Sequence, residues 1–152
     1  PSMQRGYDKA VSKFSRNLLA IVKKSLTLGI PPMGGGVTWQ PLSPATIERW
    51  GQHPIYNLTG LYSRSVGLYR YKSRVLIGLP IGTRRSSQKK LTLNQLAMML
   101  EFGSSDGRIP PRPVWAPSLK AAGGKNKLKQ LILTEIRKEL QKYGVRPNQV
   151  KW

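Results

Sequence analysis

Cysteine is absent from the 152 residues. That excludes disulfides and thiolate metal sites, and it allows a reducing compartment. Acidic residues are nearly as scarce, with 6 Asp and Glu against 26 Lys and Arg. Histidine occurs once, as His53. A single histidine without a matched nucleophile and an orienting acid makes no catalytic triad. His53, in a loop between Gly51 and Pro54, is expected to be a surface or capping residue. Long apolar runs are missing too. None approaches the ~20 residues of a membrane span, and Arg5, Asp8, Lys9, Lys13 and Arg16 interrupt any signal-peptide core. The expectation is a soluble chain folded in a cytoplasm, with Pro1 following a removed initiator Met.

The scarcity of acids narrows the chemistry further. Asp8, Glu48, Glu101, Asp106, Glu135 and Glu139 are scattered along the chain, whereas metal sites need clustered His, Cys or carboxylates. Glu135 and Glu139 are one helical turn apart, but Lys138 and Lys142 stand beside them, so helix-surface salt bridging is the expected role. The glycine runs are not phosphate loops. Gly124-Lys125 is followed by Asn126 where a Walker loop needs Ser or Thr, and Gly34-Gly35-Gly36 leads into Val-Thr-Trp. No enzyme activity and no cofactor is expected.

What the chain does have is positive charge, a formal +20. Such a chain repels itself when compact and is best placed beside something acidic. The cations run through the whole sequence, which favours a folded basic body over a globule with a basic arm. With 39% hydrophobic residues there is enough to bury one core, and a single domain over residues 1–152 is expected.

Periodicity marks two strong helices. Met3, Tyr7, Ala10, Val11, Phe14, Leu18, Val22 and Leu26 form a stripe at three- and four-residue steps. No Pro or Gly interrupts residues 7–28, and Gly29 with Pro31 and Pro32 should end the helix. Leu128, Leu131, Ile132, Ile136, Leu140 and Tyr143 form the second stripe, which should end at Gly144. Between them the expectations are a mobile loop over 29–42, a short helix over 45–50 capped by Ser43, and another short helix after a Thr59-Gly60 turn. A hairpin over 67–80 should place Val75, Ile77 and Leu79 on one face, and a helix should run from about Leu93 to Phe102. Residues 109–113, Ile-Pro-Pro-Arg-Pro, can form only a stiff extended segment, because proline lacks an N–H. Residues 82–90 read as a basic loop in which Arg84, Arg85, Lys89 and Lys90 are candidate contacts for DNA phosphates or an acidic partner, with Tyr69 and Tyr71 able to stack on bases. Residues 145–152 form a short basic tail. No zinc-finger, basic-zipper or aromatic RNA-binding pattern is present.

Three blocks in order resemble the phage virion-morphogenesis and tail-completion proteins. They are Trp39-Gln40-Pro41-Leu42-Ser43-Pro44-Ala45-Thr46-Ile47, Leu58-Thr59-Gly60-Leu61-Tyr62-Ser63-Arg64-Ser65-Val66, and Glu101-Phe102-Gly103 followed by Ile109-Pro110-Pro111-Arg112-Pro113-Val114. Leu100 stands where the family often has His, Leu58 where an acid usually precedes Thr-Gly, and the aromatic after the last proline is shifted to Trp115. The resemblance implies an α+β subunit, a small antiparallel sheet packed against long N- and C-terminal helices with extended assembly loops. It also implies a virion component assembled in the host bacterial cytoplasm, a homo-oligomeric, hexameric ring at the head–tail junction. Its partners would be portal, adaptor, stopper and tail-tube proteins, with packaged DNA in the lumen and no membrane. Trp39, Ile109, Pro110, Pro111, Arg112, Pro113, Trp115 and Trp152 are the expected interface anchors, although Trp39 and Trp115 suit a core equally well. The rival expectation is a basic nucleic-acid-binding protein with no ring role.

Overall fold

The computed structural model describes residues 2–55, 60–71, 74–80 and 92–144. The basic loop with Arg84, Arg85, Lys89 and Lys90, and the tail with Trp152, lie outside the described residues. Element α1 (Ser2–Leu28) is followed by α2 (Pro44–Trp50), α3 (Leu61–Ser65), β1 (Gly67–Tyr71), β2 (Arg74–Gly78), α4 (Leu93–Phe102), α5 (Trp115–Ala121) and α6 (Gly124–Gln141). The fold is α+β, with a two-stranded antiparallel sheet and long helices near both ends.

Local signals explain most boundaries. Gly29, at φ 65°, ends α1 by letting its own N–H and that of Ile30 return to the Ser25 carbonyl. The Ser43 hydroxyl accepts the Thr46 N–H at the start of α2, where Pro44 is pre-set for the first turn. Thr92 and Gln95 make a reciprocal capping box at the start of α4. In the hairpin Leu68 pairs with Ile77 and Arg70 with Val75. Val75 and Ile77 are half-buried while Arg74 and Leu76 are exposed, as strand alternation requires. The core comprises Val22, Leu26, Tyr62, Val66, Leu93, Ala97 and Val114, with Trp39, Leu79, Leu100 and Trp115 packed against it. The 29–42 segment, expected to be a mobile loop, is irregular but anchored: Gly35 is buried against Pro117 and Trp39 packs on the core, as one of the two roles expected for it.

The stripe that begins at Met3 lies in a helix that runs from Ser2. Gly6 is inside the helix because α6 crosses there. A Cβ at Gly6 would lie 2.7 Å from the Ile136 Cα and 2.8 Å from its nitrogen, closer than atoms can pack. One turn on, Ala10 is fully buried. Small residues thus bring the two backbones together, and α1 packs along α6 more extensively than any other pair of helices does.

That close approach changes the role of Glu135 and Glu139. They do pair with Lys138 and Lys142 on their own helix, at 3.5 and 2.8 Å. The surface role expected from the sequence is nevertheless wrong, because both side chains are buried. Each also takes a lysine from α1: Lys13 to Glu135 at 2.7 Å and Lys9 to Glu139 at 2.5 Å. The register, Lys9 with Glu139 and Lys13 with Glu135, makes the two helices antiparallel. Hydrogen bonds from Lys142 and then Lys9 hold the Glu139 carboxyl down at about 2. The Lys13 hydrogen bond lowers Glu135 in the same way, and the Glu139 carboxylate raises Lys142.

Two predictions follow from this seam. Gly6→Val should destabilise the protein by about 1–3 kcal/mol, because overpacking outweighs the ~1 kcal/mol that replacing a mid-helix glycine can return; thermal unfolding reads it. The second concerns acid. Both carboxylates titrate lower in the folded than in the unfolded chain, so their stabilisation is complete above the ordinary carboxylate range and is lost as pH falls toward 2. Denaturant melts from pH 6 down to pH 2 should show this decline, and it should flatten in Glu135→Gln/Glu139→Gln.

Candidate functional site

The third sequence block folds into a clamp whose logic begins with backbone donors. Within Ile109-Pro110-Pro111-Arg112-Pro113 only Ile109 and Arg112 carry an N–H. Both are held by the chain just before: Ile109 donates to the Ser104 hydroxyl at 2.9 Å and Arg112 to the Leu100 carbonyl at 2.7 Å. The next two donors, Val114 and Trp115, end on the Glu101 carboxylate at 2.7 and 3.2 Å. Glu101 therefore caps the start of α5, where helix N–H groups lack partners and negative charge is favoured. Gly103 turns the chain at φ 82°, and a Cβ there would lie 3.0 Å from the Ile109 carbonyl oxygen. Asp106 closes the turn by accepting from Ser104 and from the Arg108 N–H. The Ser104 hydrogen bond is the main cause of its lowered pKa.

The first block joins this clamp. The Trp39 indole donates to the Pro113 carbonyl at 3.0 Å. Arg112 is buried, and it donates from Nε to the Gln40 carbonyl and from Nη2 to the Pro41 carbonyl, each at 3.0 Å. The planar guanidinium suits such a two-point contact, which a lysine cannot reproduce. The second block contributes Tyr62 and Val66 to the core beside it. Burial pushes the Tyr62 hydroxyl up to about 12, opposed by a hydrogen bond from Trp115. Residues far apart in sequence thus converge on one buried knot.

The expected interface anchors fall into two groups. Arg112 points inward, and Trp39 and Trp115 pack on the core, so these three stabilise the subunit itself. Ile109, Pro110 and Pro113 are half-buried, and Pro111 is exposed. Glu101, which appeared only as one of six scattered acids, is the residue the sequence reading underrated. Its signal was the Pro-rich run that follows it, with donors that need a nearby acceptor. The His53 Nδ1 lies 2.9 Å from the Pro54 carbonyl oxygen. Among the described residues no three His, Asp or Glu side chains gather as a metal site, and no helix is long and apolar enough to cross a membrane.

Beside the clamp an open groove of ≈ 490 Å³ runs between β2, α4 and the start of α5, lined by Ile77, Leu79, Met98, Phe102, Trp115 and Ala116 among others. Among the described residues no Lys or Arg lines it. Its rim is strongly exposed, with Phe102 71% and Met98 61% accessible. Exposed aromatic and methionine side chains around a concave apolar surface are the usual dress of a protein contact.

The clamp is tested by Arg112→Met, which removes the donors from two carbonyls while keeping much of the apolar bulk. The expected loss is about 2–4 kcal/mol in denaturant unfolding; a loss below ~1 kcal/mol would mean that Trp39 and Glu101 hold the knot without it. No family model, no curated protein and no solved structure matches the chain.

Proposed function

We propose that this chain is a non-enzymatic structural subunit of a tailed-phage virion, placed in a homo-oligomeric, hexameric ring at the head–tail junction. The observation that carries the reading is the clamp. The blocks that resemble the tail-completion proteins meet in one buried knot, with Trp39, Arg112 and Glu101 at its centre. The sequence likeness therefore corresponds to one physical unit. A stiff Pro-rich segment fixed in this way loses little conformational entropy when its neighbours dock.

Charge and apolar surface then divide the labour. The apolar groove, with no Lys or Arg among its described lining residues, gives a neighbouring subunit a place to dock where repulsion is least. The cationic exterior suits acidic portal, adaptor, stopper or tail-tube proteins, and the DNA that passes through the lumen. The net charge of +20 is also what favours the second reading, a nucleic-acid-binding protein outside any ring. A steep salt dependence of tight duplex binding would mark that reading.

Mixed with its junction partners, the purified protein should add to a ring particle in electron micrographs. Met98→Glu/Phe102→Glu should keep the wild-type melting temperature, since both side chains are exposed, yet should abolish incorporation. A wild-type chain that stays monomeric under every assembly condition would overturn the proposal.

A further inference from the structure

Midway along α1, two cations converge without an acid between them. The buried Ser12 hydroxyl accepts a hydrogen bond from Arg16 Nη2 at 2.9 Å and another from Arg70 Nη2 at 2.8 Å. Arg16 stands one turn beyond Ser12 on the same helix. Arg70 arrives from β1, on the opposite face of the strand from Tyr69 and Tyr71. Neither guanidinium meets a carboxylate among the described residues. Asp8, the acid one turn before Ser12, is already hydrogen-bonded by Gln4 at 3.0 Å.

Such an arrangement is electrostatically incomplete. Both lone pairs of the Ser12 oxygen are taken, so what remains around it is N–H and O–H donors. Two like charges held on one oxygen repel, and an anion between them would turn that repulsion into attraction. Both arginine side chains are exposed, so a ligand can reach their outer N–H groups. A guanidinium fork matches the oxygens of a phosphoryl group in spacing and planarity, and two forks from different elements fix its position. The α1 face continues the pattern: Lys9 and Lys13 lie on the same stripe, one turn apart, each about half exposed and already partnered by a glutamate. The Arg16–Arg70 pair is different because no carboxylate among the described residues neutralises it.

We propose that Arg16 and Arg70, held together by Ser12, form a binding fork for a phosphoryl group, whether from a nucleic-acid backbone or from free phosphate. The site does not depend on the ring reading, because it would act equally in a free subunit. It also differs from general attraction by a basic surface, since it requires guanidinium geometry and not charge alone.

The test compares Arg16→Lys/Arg70→Lys, which keeps the charge but removes the forks, with Lys125→Gln/Lys127→Gln, which removes two charges at the start of α6. Binding of inorganic phosphate is read by calorimetry, and binding of a short DNA duplex by fluorescence anisotropy, both at about 0.15 M salt. The fork variant should bind at least one probe about tenfold more weakly, at unchanged melting temperature, and the control should lose less than about threefold. Loss for the duplex alone assigns the fork to a polymer backbone, and loss for phosphate alone to the free anion. Ser12→Ala, which keeps both arginines but releases them, should weaken the same probe. The inference is overturned if the fork variant binds both probes like the wild type, or if the control loses as much as the fork variant.

Discussion

Glu135 and Glu139 each sit between two lysines, one from their own helix and one from α1. Without them the longest helix packing in the molecule would set lysine against lysine. In a chain with 26 cations and 6 acids, a close helix pair has few ways to escape that repulsion. This one uses a glycine to bring the backbones together and two carboxylates to join the flanking charges. The attraction gains from burial of the carboxylates, and the lysines keep part of their hydration. Everything outside the seam builds on this pair, because α1 also carries Val22 and Leu26 into the core.

Where acids are rare, their placement becomes informative. Glu101 pins the start of α5 and with it the Pro-rich segment. Asp106 closes the turn that precedes it, and Asp8 accepts from Gln4. Five of the six acids are thus engaged in holding local or tertiary structure, and Glu48 is exposed without such a contact among the described residues. The cation surplus consequently faces outward. A surface of this kind, interrupted by one apolar groove with an exposed phenylalanine, suits a subunit with oppositely charged neighbours, and this is the physical content of the proposed junction role.

The Arg16–Arg70 pair fits the same logic from the other side. Lys9, Lys13 and Arg112 have a glutamate or backbone carbonyls to answer them. Two guanidiniums on one serine oxygen do not. A local excess of donors at a fixed geometry differs from the diffuse charge of the rest of the surface, and phosphoryl oxygens are the chemical complement of that excess.

Local chemistry made much of the secondary structure readable from the residues alone. The apolar stripes of α1 and α6, Ser43 with Pro44, Gly29 before two prolines and the alternation of Val75 and Ile77 all act within a few residues, so their effect does not depend on the rest of the chain. The Pro-rich run was legible as extended for the same reason. What only the tertiary structure decided were the long-range pairings. Nothing in the sequence marks Gly6 as the point where the Ile136 backbone comes close. Glu135 and Glu139 read as surface acids until Lys9 and Lys13 arrive from more than a hundred residues away. Arg112 reads as an exposed anchor until the carbonyls of Gln40 and Pro41 are beside it. Ser12 carries no sequence signal, because its significance lies wholly in which two arginines the fold brings to it. Periodicity encodes which face of a helix is buried, but not which partner covers it, and in this chain the partners settle what the charged residues do.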